Sequence, residues 1–82
     1  MIRPEDILKL LRATPFQPFR ISSSDGAQYD VRHPEMAIVS RSTVLLGVPG
    51  PEGLDGPVED VVHCALMHIT QMKPIDGVAP VG

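Results

Sequence analysis

PFRISSSDGAQYDVRHPEM, residues 18–36, is the stretch whose reading decides the fold. Two short apolar-alternating runs flank Ser24-Asp25-Gly26 and then meet His33-Pro34, the pattern of a β-hairpin followed by a forced bend. The register follows from testing two turns. A two-residue Asp25-Gly26 turn sets Ile21 opposite Asp30 and sends Tyr29 and Val31 to the polar face, because a slip of one residue inverts a strand. A three-residue loop, Ser24-Asp25-Gly26, with Gly26 in the left-handed position of a bulge, removes the conflict. It sets Ile21 opposite Tyr29, Phe19 opposite Val31 and Arg20 opposite Asp30. One face is then apolar, and the other carries an opposite-charge cross-strand pair. Pro34 has no N–H to give a ladder and restrains His33 before it, so regular pairing ends there.

Upstream, residues 3–13 read as a short helix. Pro4 suits the first helical position, while Glu5 and Asp6 favour the positive end of the helix dipole. Ile7, Leu8, Leu10 and Leu11 form one apolar stripe, with Lys9 and Arg12 off it. Thr14-Pro15 stops the helix, and three turns need an apolar surface beneath them. The stripe caps the protein's own core or docks on a partner; capping is the simpler reading.

Downstream, Met36 to Ser40, Thr43 to Val48, Val58 to Ala65 and Ile69 to Lys73 are β-rich. Val62, Cys64 and Leu66 share one face of the third of these runs, with His63 and Ala65 on the other. Residues 49–57, PGPEGLDGP, hold three prolines and three glycines and predict an exposed, flexible loop. The expected domain is residues 1–74, with 75–82 a frayed tail. About five short strands and one helix bury their apolar faces best as a small, strongly bent barrel with the helix over one end. The fold class expected is therefore mainly β, with an N-terminal helix and an Sm-like or SH3-like five-stranded barrel.

Composition narrows the function classes. Eighty-two residues with 43% hydrophobic residues make one small globular domain, and only Phe16, Phe19 and Tyr29 are aromatic, so the core is aliphatic. So small a core favours extra burial by self-association. Seven Lys and Arg against ten acids give a net charge of −3, which opposes broad attraction to nucleic acid or anionic membrane. The single cysteine, Cys64, excludes an intrachain disulfide. No apolar run approaches the ~20 residues that cross a bilayer, and no signal-peptide stretch opens the chain, so a cytoplasmic, soluble protein is the expectation.

Two resemblances add to this. Pro18, Phe19, Arg20 and Ile21, then Ser24, Asp25 and Gly26, then Tyr29, Val31, His33, Pro34, Glu35 and Met36, then His68, Ile69, Thr70 and Pro74 resemble the pattern of a group of short, uncharacterised bacterial proteins. That resemblance spans residues 15–74 and carries no activity. The order of one helix and a bent barrel is similar to that of Sm-like proteins, including RNA chaperones of the Hfq type. Leu66-Met67-His68-Ile69-Thr70 looks like the segment before the last strand of that family, with His68 at the family histidine and Met67 where the chaperones carry lysine. The resemblance implies subunit rings built by pairing of edge strands.

The chemistry-bearing groups are His33, His63, His68, Cys64, Asp30 and Glu35. They show no metal-ligand spacing and no nucleophile motif, so no cofactor is expected and an enzyme or metal protein is the least favoured class. His33-Pro34-Glu35 reads first as a structural bend, His63 as a solvated strand residue and Cys64 as a small buried hydrophobe. Candidate ligand or RNA contacts are His68, Arg32, Arg41 and His33; Arg3, Lys9, Arg12 and Arg20 are further scattered cations. Gly26, Asp25, Pro34, Arg20 and Asp30 are read as structural. The leading expectation is a non-enzymatic binding or assembly module, a homo-oligomeric ring or dimer, with an RNA-binding ring as the alternative.

Overall fold

The computed structural model describes residues 2–75, the side chain of Leu54 excepted. The chain is mainly β, with one N-terminal helix and two three-stranded antiparallel sheets. The elements are α1 (Pro4–Leu11), β1 (Phe19–Ser23), β2 (Gln28–Val31), β3 (Ala37–Val39), β4 (Thr43–Gly50), β5 (Gly53–Ala65) and β6 (Ile69–Pro74). Single 3-10 turns, Pro34–Met36 and Leu66–His68, join β2 to β3 and β5 to β6. The sheets run β2-β1-β6 and β3-β4-β5. There are six strands rather than five, because the turn at Pro34 divides the strand that the sequence allows to continue through it.

The hairpin has the register derived above: Phe19 faces Val31, Arg20 faces Asp30 and Ile21 faces Tyr29. Gly26 sits at φ +90°, where a β-carbon is disfavoured. The loop closes through the Ser23 N–H donating to Ala27 O at 2.9 Å and the Gly26 N–H to Ser23 O at 3.0 Å. Asp25 Oδ1 accepts from the Ala27 N–H at 2.9 Å, the local bond that makes Asp a turn residue. Asp6 Oδ2 accepts from the Arg3 N–H at 2.9 Å and fixes the start of α1.

Both sheets and the helix share one core. Ile7 of α1, Phe19, Ile21, Val31 and Ile69 of the first sheet, and Val44, Leu46 and Cys64 of the second are all buried in a single cluster with Phe16 and Leu66. The Phe16 and Phe19 rings meet edge to face at 6.1 Å between centroids. Leu10 and Leu11 pack partly buried against this cluster, and α1 lies beside β3, so the apolar stripe caps the protein's own core.

The Pro- and Gly-rich stretch at 49–57 is not an irregular loop. β4 runs on to Gly50, and β5 begins at Gly53, so most of the stretch belongs to an extended two-stranded ribbon. Register shifts between Val48 and Pro49 and between Pro49 and Gly50 give the proline the irregular position that its missing donor requires. Gly53, at φ +66°, supplies the left-handed residue of the tight connection. A β-carbon on Gly50 would lie 2.9 Å from Pro57 O, so glycine is what lets the two strands approach. Composition counted these residues as breakers; their positions at the turn and the bulges make them ribbon residues. Of the expected tail, Ile75 donates its N–H to Pro18 O at 3.1 Å, and the remainder lies outside the described residues.

Candidate functional site

The junction of β5 and β6 brings together two sheet edges and a cluster of polar side chains. β5 is paired only with β4, and β6 only with β1, so among the described residues each presents one edge without a strand partner. β5 is thirteen residues long, and an exposed edge of that length is a ready template for a further strand. The 3-10 turn between them is tied down on both sides. The Ser24 N–H donates to His68 O at 2.7 Å, and the Leu66 N–H donates to Ser42 O at 2.8 Å. The Thr70 hydroxyl adds a bond to Ser22 O at 3.2 Å, and β6 takes a register shift at Ser22/Ser23 as it joins β1.

This junction opens a cleft of about 250 Å³ lined by Ser24, Asp25, Tyr29, His63, Cys64 and His68, with Ser23 and Ala65 at its margins. His68 Nδ1 lies 3.5 Å from Ser24 Oγ, at the outer limit of a hydrogen bond. The Ala27 N–H, then the Ser23 hydroxyl, hold the Asp25 carboxyl below the usual carboxylate range, with His68 adding a smaller attraction. Burial, before the nearby Asp25 charge, pushes the Cys64 thiol up, which keeps it protonated and a poor nucleophile. The cleft thus offers imidazole, hydroxyl and carboxylate hydrogen-bonding groups beside an inert thiol. Among the described residues, no group of three or more His, Cys, Asp or Glu is placed to hold a metal ion.

The four contact candidates do not converge within one subunit. His68 lies in the junction cleft. Arg32 and His33 line a separate depression of about 330 Å³ with Asp30, Met36 and Gly47. Arg41 lies in a third, with Arg3 and Met67. Arg32 is also engaged, its Nη2 lying 3.3 Å from Asp30 Oδ2, while Arg20 Nε donates to Asp30 Oδ1 at 2.7 Å. Asp30 is therefore a carboxylate between two guanidiniums, held below its ordinary pKa chiefly by the Arg20 hydrogen bond. Pro34 opens the 3-10 turn between β2 and β3, with His33 in extended backbone before it.

Sequence reasoning paired none of the histidines. His63 joins His68 because the turn at Leu66–His68 folds the end of β5 back beside the start of β6. The signal is in the spacing: Val62, Cys64 and Leu66 alternate in phase and Ile69 falls out of it, which marks a turn at Leu66–His68 without saying which neighbours it gathers. A second feature also went unread: the outer face of the β3-β4-β5 sheet is apolar, with Ile38, Val58 and Val61 exposed. No described helix is long and apolar enough to cross a membrane. Comparison of the chain with protein-family models, curated proteins and solved structures gave no match in any of the three.

Proposed function

We propose that this chain is a non-enzymatic assembly module that builds a homo-oligomer by pairing the free edge of β5 in one copy with the free edge of β6 in the next. The outer edges of β5 and β6 carry the reading: of the four edge strands these are the two long ones, thirteen and six residues, whereas β2 and β3 are short and follow one another through the bend at Pro34. A pairing that leaves one copy from β5 and enters the next through β6 is head-to-tail, and it closes into a ring when the rotation permits. Pairing satisfies backbone groups and adds burial that an aliphatic core of this size lacks.

The same elements support an Sm-like or SH3-like reading of the fold. β2 and β3 are separated by only five residues, three of them a single 3-10 turn, and act as one bent strand, which makes the order β6-β1-β2/β3-β4-β5 around a common core. The turn at Leu66–His68 then leads from the last strand of that order back to the first. An RNA-binding ring has less support. Residues 42–72 contain no Lys or Arg and four carboxylates, Glu52, Asp55, Glu59 and Asp60, so phosphate finds no cation along the β4–β5 ribbon.

Light scattering across a concentration series tests assembly: integral multiples of the 8.9 kDa chain are expected, and a monomer throughout the micromolar range overturns the reading. Filter binding of single-stranded RNA is expected to show no salt-sensitive retention; binding that weakens steeply as salt rises would favour the RNA ring.

A further inference from the structure

The exposed large hydrophobics fall in two places. Ile38 (65% exposed), Val58 (46%) and Val61 (44%) stand on the outer face of the β3-β4-β5 sheet, and Met67 (72%) stands alone on the turn before β6. The first three line a groove of about 250 Å³ with Met36, Leu45 and Gly47. Gly47 forms its floor: a β-carbon there would lie 3.1 Å from Val58 Cγ1 and 3.3 Å from Met36 Cε. Glu35 stands at its rim, and Glu59, two residues before Val61 on β5, shares the outer face by strand alternation. Neither of these two carboxylates has an ion pair among the described residues. Met67 has the opposite surroundings, a shallow apolar depression shared with Ile2 and flanked by Arg3 and Arg41. Arg41 too has no ion pair among the described residues, and Arg3 has only an exposed contact to Glu5 at 3.6 Å.

We infer that the groove of one copy receives Met67 of a second copy, with Arg3 and Arg41 of the incoming chain meeting Glu35 and Glu59 at the rim. This rests on the homo-oligomer reading and adds to edge pairing a side-chain contact that selects the partner. Charge decides between possible occupants. Two grooves packed face to face would bring acidic rims together, and like charges so placed oppose association. A phosphate backbone is repelled for the same reason. The cationic surround of Met67 matches in both apolar and electrostatic character. Groove and knob share no lining residue, so two copies can make the contact reciprocally about a two-fold axis or pass it head to tail around a ring.

The test uses Met67→Glu, which puts a carboxylate on the knob, and Val61→Glu, which puts one in the groove. Both positions are exposed, so each variant is expected to keep the wild-type circular dichroism and, at dilutions where wild type too is monomeric, the wild-type unfolding midpoint. Sedimentation velocity across a dilution series is expected to show each variant needing at least tenfold higher concentration than wild type to assemble. An equimolar mixture restores one contact, between the intact groove of Met67→Glu and the intact knob of Val61→Glu. It should therefore associate at lower concentration than either variant alone. Wild-type assembly with both variants unaffected overturns the inference and leaves edge pairing standing. Loss confined to Val61→Glu means groove-to-groove packing and also overturns it. A wild type that stays at 8.9 kDa removes the homo-oligomer reading itself.

Discussion

The two sheets share a core but finish their outer faces differently. In the first, the outward rows are Asp30-Arg20-Lys73 and Gln28-Ser22-Gln71, read across β2, β1 and β6, and they are polar throughout. In the second, the corresponding rows are Ile38-Leu45-His63 and Gly47-Val61. Over the common core the inner rows do not differ in kind: Val31-Phe19-Pro74 and Tyr29-Ile21-Met72 in one sheet, Ala37-Leu46-Val62 and Val39-Val44-Cys64 in the other, with Val48-Asp60 beyond it towards the ribbon. A sheet with one wet face alternates apolar and polar residues, as β1 does. The second sheet departs from that alternation on a side that none of the described residues covers, and this difference is what the proposed contact between copies rests on.

The largest expected effect separates inner rows from outer ones. Phe19→Ala and Leu46→Ala, one from each sheet, should cost about 3–5 and about 2–5 kcal/mol respectively, since each opens a cavity in the common core. Ile38→Ser, on the outer row of the second sheet, should change the stability of the dilute protein by no more than about 0.5 kcal/mol. Urea unfolding followed by circular dichroism measures all three. A cost for Ile38→Ser as large as that for Leu46→Ala would mean that the outer face is covered within one chain, and the contrast between the sheets would disappear.

The next effect concerns how each sheet turns its chain. Gly26→Ala meets no atom within 4 Å, so its whole cost is the backbone strain of a β-carbon at φ +90°. That strain is about 1–2 kcal/mol. A Gly26→Asn variant, whose residue tolerates the left-handed region better, should recover part of the loss in the same unfolding assay. Full cost with asparagine would show that something other than φ is at stake in this turn.

The hairpin was legible because two independent constraints, the faces of four apolar residues and the pairing of Arg20 with Asp30, accept only one turn. The helix was legible through Pro4, the first-turn acids and the stripe ending in Leu11. Residues 49–57 were not, because composition counts prolines and glycines without their positions. Pro49 falls where the ladder shifts register, Gly53 at the turn and Gly50 where the strands nearly touch, and each is tolerated for a different reason. The site was less legible still. Nothing in the spacing of His63 and His68 states that a 3-10 turn folds one beside the other, and the apolarity of Ile38, Leu45 and Val61 looks the same whether it faces a core or a partner.

The smallest expected effect is electrostatic and belongs to the polar face of the first sheet. Asp30 is held below its ordinary pKa mainly by the Arg20 hydrogen bond, and Asp25 by the Ala27 N–H. In the unfolded chain both titrate near 3.9. A carboxyl that binds its proton less readily when folded stabilises the protein fully above that value, and the contribution is lost as pH falls through the unfolded pKa towards the folded one. Stability should therefore be flat from pH 7 to about 5 and decline below about pH 4. Asp30→Asn should make that acid decline shallower while leaving the part due to Asp25. Arg20 and Asp30 are both solvated, so the change at neutral pH should be small and should shrink further in high salt. The second sheet has no comparable cross-strand ion pair among its described residues, so the part of the acid decline that Asp30→Asn removes belongs to the first sheet. If Asp30→Asn leaves the acid limb where it was, the Arg20–Asp30 pair adds nothing to the folded state, and the distinction between a self-satisfied face and an open one fails at its most sensitive point.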